Sequence, residues 1–135
     1  MRADIDFNYP GNCEEAFRFY EKELNGRVTG LQTHADAPNP PADWKTKVLH
    51  ARLELANIVL MGADIPKAEP MRSAYVTLSV DSVEEAERVY GILTDGGEVF
   101  MKMEETFFAK RFAMLRDRFG TSWMLLYQVP TAPSD

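Results

Sequence analysis

Few side chains in this 135-residue chain can move a proton near neutral pH: it has two histidines and one cysteine. His50 lies in Leu49-His50-Ala51-Arg52-Leu53-Glu54-Leu55, where apolar and polar residues alternate. A strand sends successive side chains to opposite faces, so Leu49, Ala51, Leu53 and Leu55 form a buried set and His50, Arg52 and Glu54 share the other face. Imidazole titrates near neutral pH, and the carboxylate of Glu54, four residues along on the same face, favours its protonated form. His50 is therefore the candidate general acid–base group, against the competing reading of a hydrogen-bonded structural histidine. By the same alternation Ala74, Val76, Leu78 and Val80 leave Tyr75, Thr77 and Ser79 opposite, and Ile5, Phe7 and Tyr9 leave Asp4, Asp6 and Asn8. Asp4 and Asp6 sit about 7 Å apart on such a strand, too far for a strongly shared proton. Phe107, Phe108, Phe112 and Trp123 offer aromatic surface for a flat or aliphatic ligand, bracketed by Glu104-Glu105 and Lys110-Arg111. The candidate ligand-binding residues are Asp6, His50, Arg52, Glu54, Tyr75, Thr77, Glu105, Phe107, Phe108 and Trp123. The single cysteine, Cys13, excludes an intrachain disulfide and a Cys-based zinc cage and reads as a buried thiol.

The elements that must position these residues repeat within the chain. Asn12-Cys13-Glu14-Glu15-Ala16-Phe17-Arg18-Phe19-Tyr20 returns 70 residues later as Ser82-Val83-Glu84-Glu85-Ala86-Glu87-Arg88-Val89-Tyr90. Each copy has a polar residue three positions before a Glu, the capping-box spacing that satisfies free amides at a helix start. Apolar residues follow at helical intervals: Cys13, Ala16, Phe17, Tyr20 and Leu24, then Val83, Ala86, Tyr90 and Leu93. Asn25-Gly26 and Asp95-Gly96-Gly97 tolerate positive φ and stop the two helices at corresponding places. Strands are expected at about 3–9, 27–33, 47–55 and 58–63 around the first helix, and at 73–80, 98–104, 111–117 and 122–128 around the second. The reading is an α+β fold of two tandem βαβββ modules in one domain, 1–135. Module 1 covers about 1–63, a Pro-containing linker 64–71, module 2 about 72–128 and a flexible tail 129–135. Residues 34–47, with three prolines, are a loop whose Trp44 is read as a lid or a dimer contact.

A formal net charge of −6, with scattered basic residues, disfavours nucleic acid as a partner. No apolar run approaches bilayer length and no signal-peptide pattern opens the chain, so a cytoplasmic protein without membrane contact is expected.

Gly11-Asn12-Cys13-Glu14-Glu15-Ala16 through Phe19-Tyr20, Leu49-His50-Ala51, Leu60-Met61-Gly62-Ala63-Asp64, and Glu105-Thr106-Phe107-Phe108-Ala109 joined to Asp117-Arg118-Phe119-Gly120 resemble the PhnB-like branch of the vicinal oxygen chelate superfamily. That superfamily includes glyoxalase I, extradiol dioxygenases and bleomycin-resistance proteins. The resemblance implies a curved, cup-like mixed sheet with helices outside, completed across a homodimer. It also implies ligand positions on the first, fourth, fifth and eighth strands of metal-dependent relatives. These fall on Asp4 or Ile5, Leu60, Tyr75 and Met124, too few O or N donors for a divalent ion, so no metal and no cofactor is expected. Some such proteins carry a demethylubiquinone methyltransferase label, yet no Gly-rich turn joins a first strand to a cofactor-binding helix here. The preferred expectation is a binding protein for an unidentified small molecule. The competing readings are an enzyme, either a lyase or isomerase using His50 or a glyoxalase or dioxygenase type, and a drug-sequestering resistance protein.

Overall fold

The computed structural model describes residues 1–129, so of the expected tail only Val129 is seen. The chain forms two compact units, the first spanning Met1–Pro70 and the second beginning at Met71. Within the first unit the order is β1 (Ile5–Tyr9), α1 (Cys13–Glu23), β2 (Arg27–Thr33), β3 (Val48–Leu55) and β4 (Ile58–Asp64). The second repeats it as β5 (Val76–Ser79), α2 (Val83–Thr94), β6 (Glu98–Glu104), β7 (Arg111–Arg116) and β8 (Ser122–Tyr127). Each unit holds an open four-stranded sheet, ordered β1-β4-β3-β2 in one and β5-β8-β7-β6 in the other. In each sheet the first strand runs parallel to the last, and the other neighbours are antiparallel.

The helices cover one face of their own sheet. Cys13, Ala16, Phe17 and Tyr20 of α1 are fully buried, as are Ala51, Leu53 and Leu60 of the sheet below. Gly62 lies where a Cβ would meet Phe17 Cζ at 2.7 Å and Cys13 Sγ at 2.9 Å, so only glycine lets the helix settle this closely. In the second unit Ala86, Val89 and Leu93 are buried, with Val83 and Tyr90 half-buried, so Val89 takes a place expected for Tyr90. Beneath them Ala113, Leu115, Trp123 and Leu125 are all 0% exposed. Both helix stops use positive φ, at Asn25 (57°) and Gly96 (72°).

The two helix starts differ. Ser82 Oγ accepts from Glu85 N–H at 3.0 Å, and Glu85 Oε2 in turn accepts from Asp81 N–H at 3.2 Å. Asn12 caps nothing, and its buried Oδ1 has no hydrogen-bond partner. The first turn of α1 is served instead by Asp64, the end of β4, whose Oδ1 accepts from Gly11 N–H at 3.1 Å and Cys13 N–H at 2.9 Å. Its Oδ2 accepts from Val48 N–H at 2.8 Å. Asp64 therefore belongs to the strand, where a linker residue was expected.

Three strand phases also differ from expectation. Gln32 pairs with His50 and Thr33 with Val48, leaving Leu49 as the extra residue of a bulge. Val48 is consequently buried and Leu49 half-buried. Ile5, expected in the buried set of β1, is exposed, while Phe7 and Tyr9 are buried. The fifth strand begins only at Val76, after Ser73 at φ 63°, so Ala74 and Tyr75 precede it and Ala74 is exposed.

Candidate functional site

The face of each sheet away from its helix is where functional side chains can be presented. In the first unit β3 contributes His50, Arg52 and Glu54, all half-buried, because Ala51, Leu53 and Leu55 point to the helix. Met61 of β4 is the register partner of both Arg52 and Asp6, and Arg52 is also paired with Gly30, so Asp6, Met61 and Arg52 form one transverse row. Asp4 lies outside β1 and pairs with Arg2 at 3.1 Å. Glu54 does not serve His50. Its Oε2 accepts from Arg27 Nη2 at 2.7 Å across the β2–β3 pair, a stronger charge-assisted partner directly opposite it in register. The expected His50–Glu54 acid–base pair is thereby replaced by an Arg27–Glu54 ion pair.

His34 and Trp44 sit in the Pro-containing loop, each in a short 3-10 turn, with ring centroids 6.3 Å apart. Cys13 is sealed under α1. Burial, followed by the charges of Asp64, Asp6 and Glu14, drives its thiol far above the usual range.

The second unit's open face is more apolar. Met101 pairs with Met114 and Met114 with Met124, and Met124 is opposite Thr77. Residues paired across adjacent strands point the same way, so Thr77, Met124, Met114 and Met101 make one row across all four strands. A second row holds Ser79, Leu126, Phe112 and Glu104. Met101 joins the first row because Phe100 is the extra residue of a bulge between the Val99–Leu115 and Met101–Met114 pairs.

At the end of this face Phe100 meets the Tyr75 ring edge-on at 6.4 Å. The Arg72 and Arg116 guanidinium carbons lie 4.6 Å and 5.5 Å from the Phe100 centroid. At the other end a ladder of edge-to-face rings runs from Phe112 through Phe108 to Phe107, with centroids 5.0 Å and 5.2 Å apart. Phe107 is fully exposed and Phe108 is 41% exposed. The loop carrying them, stapled by Lys110–Glu105 at 3.1 Å, borders an open recess of about 600 Å³ shared with Gln128 and Val129.

Trp123 corrects the expectation of exposed aromatic surface. It is 0% exposed, faces α2, and donates Nε1–H to Asp117 Oδ2 at 2.8 Å. Asp117 Oδ1 also accepts from Phe119 N–H at 2.9 Å and Thr121 N–H at 3.1 Å, so the Asp-x-x-Gly turn is a buried anchor for β8. The methionine row, Phe100 and Arg72 were not singled out from the sequence. Their signal is cross-strand register, which alternation along a single strand does not carry.

The four positions that bind metal in relatives do not fit one here. The first-strand position falls on Asp4, which is paired with Arg2, or on Ile5, whose register partner Leu60 fills the fourth-strand position; Met124 offers a thioether and Tyr75 a phenol. A hard divalent ion needs several convergent oxygen or nitrogen donors. Among the described residues no three His, Cys, Asp or Glu side chains are gathered to supply them.

Residues 4–126 match the protein family described as 3-demethylubiquinone-9 3-methyltransferase. The chain is similar to protein YjdN of Escherichia coli, 29% identical over 92% of this chain and 95% of that one. It is 38% identical to protein PA1353 of Pseudomonas aeruginosa, whose crystal structure superposes with a TM-score of 0.84 over 95% of this chain and 98% of the other. A PhnB protein from Bacillus cereus, 21% identical, shares the fold with a TM-score of 0.81 over 94% and 99% of the two chains. The chain belongs to the family described as 3-demethylubiquinone-9 3-methyltransferase.

Proposed function

We propose that this protein binds a small, largely apolar molecule on the open face of its second sheet, without a metal. The observation that carries this reading is the row Thr77–Met124–Met114–Met101, flanked by Phe112 and Leu126, on a sheet face that α2 does not cover. Methionines are flexible and polarizable and mould to an apolar guest, and three in register provide such a surface on adjacent strands. Tyr75 and Thr77 border it, and Phe107 and Phe108 with Glu105 extend it at the loop. Asp6, His50, Arg52 and Glu54 form the corresponding polar face of the first unit, as further binding residues. We also propose a cytoplasmic homodimer, supported by the exposure of Phe107 and Phe108. No helix is long and apolar enough to cross a membrane among the described residues.

Methyl transfer is not favoured by this architecture. Each sheet has a single parallel pair, and the β1–α1 turn, Pro10-Gly11-Asn12, lacks the glycine spacing that seats a dinucleotide-like cofactor. The test is a fluorescence titration with N-phenyl-1-naphthylamine, an uncharged probe that brightens in apolar surroundings, in buffer containing EDTA. Saturable binding is expected, weakened at least about tenfold by Met114→Glu, which places a charge in the middle of the row. Absence of saturable binding by folded wild-type protein would overturn the proposal.

A further inference from the structure

We infer that the ligand is an amphipathic anion: an apolar body laid over the methionine row, with its acidic group at Arg72. This rests on the binding reading above and adds the ligand's charge and size.

The chain is acidic overall, yet this end of the face is locally cationic. Arg116 and Arg72 both lie against the Phe100 ring. Arg116 is spent on neighbours: Nη2 donates to Glu98 Oε2 at 2.8 Å and Nη1 to Met71 O at 3.2 Å. That pair neutralises Glu98 and leaves Arg72 as the surplus charge. Arg72 itself is exposed and forms no ion pair among the described residues. Stacking on Phe100 limits the positions of its guanidinium without using its N–H donors. A planar five-donor group held this way suits a carboxylate, sulfonate or phosphate, each of which can accept two parallel hydrogen bonds.

The distances set the size of the guest. Arg116 and Met114 are alternate residues of β7, so the cationic end and the methionine row are about 7 Å apart along the strands. Met101, Met114 and Met124 occupy three adjacent strands and span about 10 Å across them. An acid attached to a two-ring body has these dimensions, and Phe112 bounds the far side of the row. A cationic guest would meet Arg72 as a repulsive charge.

The test compares two probes that differ by one group. 8-Anilino-1-naphthalenesulfonate is N-phenyl-1-naphthylamine with a sulfonate added. On the native protein at neutral pH, with near-ultraviolet circular dichroism confirming the fold of each variant, the sulfonate is expected to bind at least about fivefold more tightly than the neutral probe. A charge-assisted contact of this kind supports a factor of that order. Arg72→Gln should close most of that gap, and Arg72→Lys should restore part of it. Equal affinities for the two probes, or a gap that Arg72→Gln leaves intact, would overturn the anionic assignment while leaving apolar binding standing. Failure of both probes to bind would overturn the binding reading and this inference together.

Discussion

The carboxylate of Asp64 accepts a hydrogen bond from the backbone N–H of Cys13 at 2.9 Å, joining the end of β4 to the start of α1 across 51 residues. Two further amides, of Gly11 and Val48, use the same buried side chain. Asp64→Ala would strand three donors, each costing about 1–3 kcal/mol when buried without a partner. We expect a loss of about 3 kcal/mol or more in urea unfolding, and an intermediate loss for Asp64→Asn, which keeps one acceptor oxygen. A loss below about 1 kcal/mol for the alanine variant would contradict this role.

The two helix starts should respond oppositely to the same kind of change. Ser82 bonds the Glu85 amide, so Ser82→Ala should cost about 1 kcal/mol. Asn12 makes no capping bond and its buried Oδ1 has no partner, so Asn12→Ala should leave stability unchanged or raise it. Equal losses at both positions would show that Asn12 is a cap after all.

Cys13 should be inert in the native state. Its thiol is held protonated by burial and by neighbouring carboxylates, so alkylation at pH 8 should proceed only as fast as the protein opens. A raised folded pKa contributes stability that is present below the unfolded value, about 8.5, and lost as pH rises above it. Wild type should therefore lose stability above about pH 8.5 more steeply than Cys13→Ala, as read from paired unfolding curves. Rapid labelling of native protein would contradict the burial.

A homodimer should appear as about twice the 15.3 kDa chain mass in light scattering at micromolar concentration. Phe107 and Phe108 stand in water in the single chain, and covering them would recover about 25 cal/mol per Å² of apolar area. Replacing both by Ser should shift the protein toward monomer without lowering its unfolding midpoint at the monomer level. A wild-type monomer throughout this range would remove the dimer from the account.

The repeat made much of the fold legible, because apolar stripes and positive-φ stops are local signals that recur at one offset, whereas of the two expected caps only Ser82 forms. Alternation correctly gave the helix-facing sets Ala51, Leu53 and Leu55. It failed at Leu49, where a bulge inserts one residue and shifts the strand's phase. The same effect hid the methionine row, since Met101 reaches it only through the bulge at Phe100. Trp123 was misread because a continuous apolar strand shows no preferred face. Its face is fixed by Asp117, whose hydrogen bond depends on a turn closed in three dimensions. Long-range contacts such as Asp64 with Cys13 leave no periodic trace at all.

The most direct test of the binding face is a methyl-NMR titration of protein carrying ¹³C in its methionine methyl groups, with N-phenyl-1-naphthylamine as the probe. Seven methionines give separate reporters, and aromatic ring currents move the signals of those the probe touches. Saturable shifts are expected at Met101, Met114 and Met124, with Met1 unmoved. Saturation of the protein with those three signals unchanged would contradict binding there.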